Sequence, residues 1–370
     1  MSTLLKDLYS PGFYKGFTNV MAQVLPAFDK QQFMDAIFDE TFANKELKER
    51  MRHTAQVLHQ FLPKNFAEAA PVIEQLITQL RVNGIREFSI EYMFLPDYIE
   101  VYGLHDFEAS VKTIEFVTQF TSCEFAVRPF LLKYYDRMLQ QMVAWSLHES
   151  DKVRRLASEG VRPRLPWAMA IPALKKDPTP ILPILENLKQ DPSEFVRRSV
   201  ANNLNDIAKS HPEIVIEIAG KWKGLNKETD AIIKHGCRTL LKQGHVAILK
   251  HYGLQSKNIV FTNFTIVTPK VCIGESLVFS FSFTNHNNTA EMIRLEYAVY
   301  YKRQNGQLSK KVFKISERLY QPNETGIIQR RQSFKPITTR RFYAGKHQLS
   351  IIINGEEKEI KSFELVEPSF

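Results

Sequence analysis

A chain of 370 residues with 44% hydrophobic side chains is long enough for two domains or one extended array of repeats, and it can bury a full core. No run reaches the roughly 18 consecutive apolar residues needed to span a bilayer, and Met1 to Phe13 lacks the zones of a secretory signal, so a cytoplasmic protein without a membrane partner is expected. The formal net charge of +9 favours a polyanionic partner, and the three separated cysteines, Cys123, Cys237 and Cys272, exclude a disulfide framework or a CxxC zinc site. Residues 255 to 370 hold 17 Lys and Arg against 10 Asp and Glu, a surplus of +7 that leaves +2 for the remainder.

In chain order, the first two-thirds read as helices. Phe33, Ile37, Phe42, Leu47, Met51, Val57 and Leu58 recur at helical spacing among charges, which predicts an amphipathic helical pair over Lys30 to Leu62. From about Glu108 a repeat emerges, clearest in Asp151-Lys152-Val153-Arg154-Arg155-Leu156-Ala157 and Glu194-Phe195-Val196-Arg197-Arg198-Ser199-Val200-Ala201. A third copy, Ile232-Ile233-Lys234-His235, keeps an apolar residue before two basic or potentially basic ones. Val153, Val196 and Ile233 lie 43 and 37 residues apart, near the roughly 40–47 of HEAT units, which predicts an all-α, HEAT-like helical solenoid. Pro163, Pro166, Pro172, Pro178, Pro180 and Pro192 then fall between helices or at their starts.

After Gly253 the period changes to two. Leu277, Phe279, Phe281 and Phe283 alternate with more polar neighbours, as do Ile293, Leu295, Tyr297, Val299 and Tyr301. Asn305-Gly306 and Asn354-Gly355 are hairpin signals. About seven strands between Phe264 and Val366 predict an all-β, immunoglobulin-like sandwich, with Gln255 to Asn263 as linker. The expected domains are residues 1–254 and 264–370.

The usual signatures of nucleotide hydrolysis, dinucleotide redox chemistry and metal-assisted hydrolysis are missing, and the ten histidines show no ligand spacing. Neither a cofactor nor a metal is expected. What remains is acids beside arginines: Glu124 four before Arg128, Arg155 four before Glu159, and Arg198, Asn202 and Asp206 at steps of four. Spacing of this kind is also what ordinary exposed ion pairs produce. In the helix from Phe195, however, Val196, Val200, Leu204 and Ile207 fill the apolar face, so Asp206 stands beside it. If repeats stack in register, acids of successive repeats converge. Next to Glu159, Pro163 and Pro166 stiffen the connection that delivers Trp167 with Arg162 and Arg164 beside it. Trp167 is either a core anchor or a stacking and cation–π platform.

Three stretches carry a resemblance: Glu124-Phe125-Ala126-Val127-Arg128-Pro129-Phe130, the run from Ala157-Ser158-Glu159-Gly160 into Arg162-Pro163-Arg164-Leu165-Pro166-Trp167, and Val196 to Asp206. They resemble the DNA alkylation repair proteins of AlkC and AlkD, the AlkC branch in particular. The resemblance implies HEAT-like repeats that bind double-stranded DNA, with an immunoglobulin-like C-terminal domain. It also implies hydrolysis of the N-glycosidic bond of cationic lesions such as 3-methyladenine and 3-methylcytosine, without base extrusion. Glu124, Glu159 and Asp206 would be the active-site acids, Trp167 would line the lesion, and Arg155 would lie nearby.

Such residues suit the chemistry. Glycosidic cleavage develops positive charge on the sugar, which carboxylates stabilise. An alkylated cationic base leaves as a neutral molecule, so no general acid is required. Acids near phosphodiesters are repulsive, and Arg128, Arg155, Arg162, Arg164, Arg197 and Arg198 are expected to offset this, with Arg330, Arg331, Arg340, Arg341 or Lys346 gripping DNA from the β-domain. A monomeric, monofunctional glycosylase is the leading expectation. A non-catalytic HEAT-repeat scaffold and a nonspecific nucleic-acid binder are the alternatives.

Overall fold

The computed structural model describes residues 4–87, 89–254, 257–337 and 340–367. Gln255 and Ser256 of the expected linker, and residues 368–370 of the expected β-domain, lie outside this range.

Helices α1 (Pro11–Val24), α2 (Lys30–Ile37), α3 (Leu47–Phe61), α4 (Phe66–Val82), α5 (Phe94–Tyr102), α6 (Phe107–Val117) and α7 (Val127–Lys133) come first. They are followed by α8 (Tyr135–Trp145), α9 (Asp151–Gly160), α10 (Pro172–Lys176), α11 (Leu182–Leu188), α12 (Glu194–Ile207), α13 (Pro212–Trp222) and α14 (Lys227–Gly236). Their starts follow from local chemistry. Ser10 accepts from the Phe13 amide ahead of α1, Asp29 from Gln32 ahead of α2, and Asp106 from Ala109 ahead of α6, so each satisfies an orphan donor of the first turn. The expected amphipathic pair is α2 and α3, with Phe33, Ile37, Met51, Val57 and Leu58 buried and Leu47 only half-buried.

The repeat is real in three dimensions. Val153, Val196 and Ile233 are all buried, on α9, α12 and α14, and α12 packs against both of the others. Gly236 permits part of this approach, since a Cβ there would lie 2.8 Å from the Leu204 Cβ. Helical repeats therefore stack as the sequence period requires.

The chain divides into two compact units, one of residues 1–215 with 221–236 and the other of 216–220 with 237–370. The second contains two short helices, α15 (Arg238–Lys242) and α16 (Val246–His251), so the sequence-based boundary at 254 falls inside it. Its strands are β1 (Ile259–Ile266), β2 (Lys270–Cys272), β3 (Ser276–Asn285), β4 (Glu291–Lys302), β5 (Leu308–Tyr320), β6 (Thr325–Ser333), β7 (Gly345–Ile353) and β8 (Glu356–Val366). They form sheets of order β1-β3-β6 and β2-β8-β7-β4-β5. Leu277, Phe279, Phe281 and Phe283 of one sheet meet Ile293, Leu295, Val299, Leu349 and Ile351 of the other in a sandwich core.

β1 occupies much of the segment read as linker. Its period is hidden because the pairing with β3 shifts between Thr262 and Thr265, where Asn263 takes φ 55°, so inward residues do not alternate. The β7–β8 turn is as expected: Asn354 and Gly355 both take positive φ, at 48° and 77°.

Candidate active site

The paired basic residues of the repeat do two different jobs. Arg154 turns back along the chain, its Nη1 donating to the carbonyls of His148 and Glu149 at 2.9 and 2.7 Å, while Nε and Nη2 fork onto Asp191. One repeat later, Arg197 Nη1 donates in the same way to the carbonyls of Asp191 and Pro192, at 2.8 and 2.7 Å. The first basic residue thus ties down the loop entering its own helix by donating to that loop's carbonyls. Arg197 Nη1 is thus engaged by its own loop.

In the first copy the second basic residue, Arg155, faces the acids, whereas its counterpart Arg198 is exposed and pairs with Glu194. Arg155 Nη1 donates to Glu124 Oε2 at 2.6 Å and to Ser122 Oγ at 2.9 Å, and its Nη2 lies 3.6 Å from Glu159 Oε1. Arg162 Nη1 donates to the same Glu159 Oε1 at 2.6 Å, and Nε to Asp206 Oδ2 at 2.9 Å. Lys209 Nζ closes the series on Asp206 Oδ1 at 2.8 Å. Glu124, Arg155, Glu159, Arg162, Asp206 and Lys209 therefore form one continuous chain of alternating sign across α9 and α12, the turns that follow them, and the segment before α7. Three acids meet three bases, so the chain is formally neutral.

Glu159 and Asp206 are buried, 5% and 2% exposed, whereas Glu124 is half-buried. Burial pulls the Arg162 guanidinium down, but the two carboxylates outweigh it and hold the pKa above its ordinary value. Arg162 is thus the counter-ion between two buried acids, not the phosphate contact expected of it. This arrangement changes the charge argument, because repulsion from a DNA backbone is cancelled within the site itself.

Arg128 also departs from expectation. It is 0% exposed, and its guanidinium donates to the carbonyls of Gly160 at 2.9 Å, Arg162 at 3.0 Å and Met169. Burial, the Arg162 charge and opposing Asp206 together bring its pKa down to about 10. Its work is to pin both ends of the loop from α9 to α10, and no phosphate can reach it. Gly160 allows the close approach, since a Cβ there would stand 2.6 Å from Val127 of α7.

That loop carries Trp167, which is 67% exposed and is no core anchor. Its φ of 63° is a left-handed conformation that costs a non-glycine residue about 1–2 kcal/mol, so the surroundings must hold it there. Lys48 Nζ donates to its carbonyl. Beside it opens a cleft of about 640 Å³ lined by Lys48, Arg52, Glu100, Phe125, Ala168 and Met169 among others.

Arg164 and Arg198 are on the surface, Arg164 donating to Ser210 Oγ at 2.7 Å and Arg198 to Glu194 at 2.7 Å. In the second unit, Arg341 is exposed and Arg340 lies 4.2 Å over the Tyr301 ring. Both line a cleft with Lys302 and Arg303.

Sequence reasoning missed Ser199, Lys209 and Lys48. Ser199 Oγ donates to Glu159 Oε2 at 2.6 Å. Its signal was available: it stands where the first repeat has Leu156, a polar residue in an apolar slot. Lys48 carried no signal, being one exposed lysine on a helix 119 residues from its partner. Among the described residues, no group of three His, Cys, Asp or Glu is placed to hold a metal, and no helix is long and apolar enough to cross a membrane.

A helical-repeat unit followed by an immunoglobulin-like sandwich is the architecture of a DNA alkylation repair class. Residues 30–223 match the DNA alkylation repair enzyme family, and the chain belongs to it. Residues 260–367 match the C-terminal Ig-like domain of uncharacterised protein YhaZ. The uncharacterized protein YhaZ of Bacillus subtilis (strain 168) is 44% identical over 363 residues, 98% of this chain and 99% of that protein. Among solved structures, the alkylpurine DNA glycosylase AlkC of Pseudomonas fluorescens, bound to DNA containing an abasic site analog, superposes with a TM-score of 0.92. It is 33% identical, over 98% of this chain and 100% of that one.

Proposed function

We propose that this protein is a monofunctional DNA glycosylase that hydrolyses the N-glycosidic bond of cationic alkylated bases, 3-methyladenine and 3-methylcytosine, in duplex DNA. The observation that carries the reading is the chain of Glu124, Glu159 and Asp206, gathered by Arg155 and by Arg162, which lies in the loop that carries Trp167. The AlkC protein of like architecture, an alkylpurine DNA glycosylase bound to DNA, supports it.

Cleavage requires negative charge near a sugar that is becoming positive, in a fixed and water-poor setting. Glu159 and Asp206 have that setting because Arg162, Ser199 and Lys209 fix their oxygens. As positive charge builds on the sugar, it adds to an array that is neutral overall, and nearby carboxylates then dominate its local field. Glu124, the most exposed of the three, is the acid assigned to orient the attacking water. The base departs with the bonding electron pair and becomes neutral, so its release needs no proton. Trp167 offers an indole face that favours a cationic base over a neutral one without extrusion of the base into a pocket.

Residues 1–254 are assigned to catalysis and residues 264–370 to an accessory domain. Arg164, Arg198, Arg340 and Arg341 are assigned to phosphate, while Arg155, Arg162 and Arg128 serve the site and its loop. The protein acts as a cytoplasmic monomer, without a cofactor, associating with the nucleoid when on DNA.

Incubation with methylated duplex, followed by chromatography of the small molecules, tests the activity: free 3-methyladenine or 3-methylcytosine is expected, and intact DNA throughout would leave only a binding protein. In the same assay Trp167→Ala is expected to lower preference for the damaged duplex about tenfold, the effect of losing roughly 1–2 kcal/mol of cation–π contact. Affinity for undamaged duplex should change little. Equal loss on both duplexes would remove Trp167 from lesion selection.

A further inference from the structure

The Trp167 loop is fastened at its ends by Arg128, through the carbonyls of Gly160, Arg162 and Met169. Its crest is reached from a different helical hairpin. Lys48, on the first turn of α3, donates from Nζ to the carbonyl of Trp167 itself. The same Nζ stands 4.8 Å from the centroid of the Phe125 ring, whose residue follows the acid Glu124. One ammonium group therefore joins the two segments that carry Trp167 and Glu124, along the wall of the cleft beside them.

We propose that Lys48 is a positioning residue for lesion recognition: its ammonium holds the Trp167 peptide in the left-handed conformation and so fixes the direction of the indole. The physical case rests on the φ of 63°. A tryptophan left to itself returns to negative φ, which rotates the peptide carbonyl and swings the side chain off its present line. A charged donor on that carbonyl opposes the rotation, and the cation–π contact with Phe125 keeps the donor from following it. Lys48 is exposed and makes its bond from one long flexible stem, so its removal leaves the helical core untouched.

The inference rests on the proposed glycosylase reading for its effect on rate, but not for its effect on Trp167. Lys48→Met keeps the stem and deletes the donor. It is expected to lower the single-turnover rate of base release about 5- to 30-fold, the factor that one or two kcal/mol sets, with unchanged thermal midpoint and unchanged affinity for undamaged duplex. Lys48→Arg, which can still donate to a carbonyl, is expected to recover most of the rate. In a Trp167→Gly background, where the backbone accepts φ 63° without help, Lys48→Met is expected to cost nothing further.

A second readout needs no substrate. With 5-fluorotryptophan in all three tryptophan positions, the resonance of Trp167 is expected to move in Lys48→Met while those of Trp145 and Trp222 stay in place. Should the wild-type protein release no base, this spectrum alone decides on Lys48. The proposal is overturned by a Trp167 resonance that does not move. It is equally overturned by a loss in the Trp167→Gly background as large as in wild type, or by weakened binding of every duplex with a shallower salt slope, which would make Lys48 a phosphate contact.

Discussion

Glu159→Gln and Asp206→Asn are each expected to slow single-turnover base release by about 100-fold or more, the scale seen when one preorganised electrostatic group is removed. Either change converts a formally neutral chain of three acids and three bases into one with a surplus positive charge. That surplus then sits where the sugar must itself become positive. Folding should survive. A glutamine at 159 still accepts from Arg162 through its carbonyl, and its amide can donate to the Ser199 hydroxyl, which is free to rotate. An asparagine at 206 fits less well, because the present carboxylate accepts from a cation on each oxygen. A lower thermal midpoint is therefore expected for Asp206→Asn than for Glu159→Gln. Quench-flow release by both variants within a few fold of wild type would remove the acids from catalysis.

Arg162→Met is expected to have the largest effect on stability. It leaves two buried carboxylates, each having lost a charged partner, and breaking such a pair costs roughly 3–5 kcal/mol. Because Glu159 keeps Arg155 and Ser199, and Asp206 keeps Lys209, the lower end of that range applies. Urea unfolding should register it directly. Adding Glu159→Gln and Asp206→Asn to Arg162→Met is expected to restore part of the loss, since neither buried side chain is then a charge that has lost its principal counter-ion. A single Arg162→Met variant as stable as wild type would show that the network contributes charge to the site without holding the fold.

These expectations also mark what the chain disclosed about itself. Helices and repeats were legible because Val153, Val196 and Ile233 hold the same buried slot on α9, α12 and α14. The inward residues of β3 and β4 were legible because nothing interrupts their period of two. β1 was not, since the irregularity at Asn263 breaks that period within eight residues. For the site, spacing named the acids and their arginines, but spacing is blind to depth. Arg128 and Arg162 look like surface cations in a string of letters, yet both are buried. Contacts across 31 and 44 residues, those of Glu124 with Arg155 and Arg162 with Asp206, exist only once the repeats stack.

In the proposed mechanism charge decides the reaction: the base would leave because it is already positive, and fixed carboxylates would meet the charge passed to the sugar. Its most direct test is base release from two duplexes that differ in that charge alone, one with 3-methyladenine and one with the uncharged isostere 3-methyl-3-deazaadenine. Rapid release of the first and none of the second, at protein concentrations that saturate both duplexes and with the charged one bound about tenfold more tightly through Trp167, is the expected result. Comparable release of the neutral base would contradict it, since a neutral leaving group demands a proton donor, a role the mechanism assigns to none of the three acids.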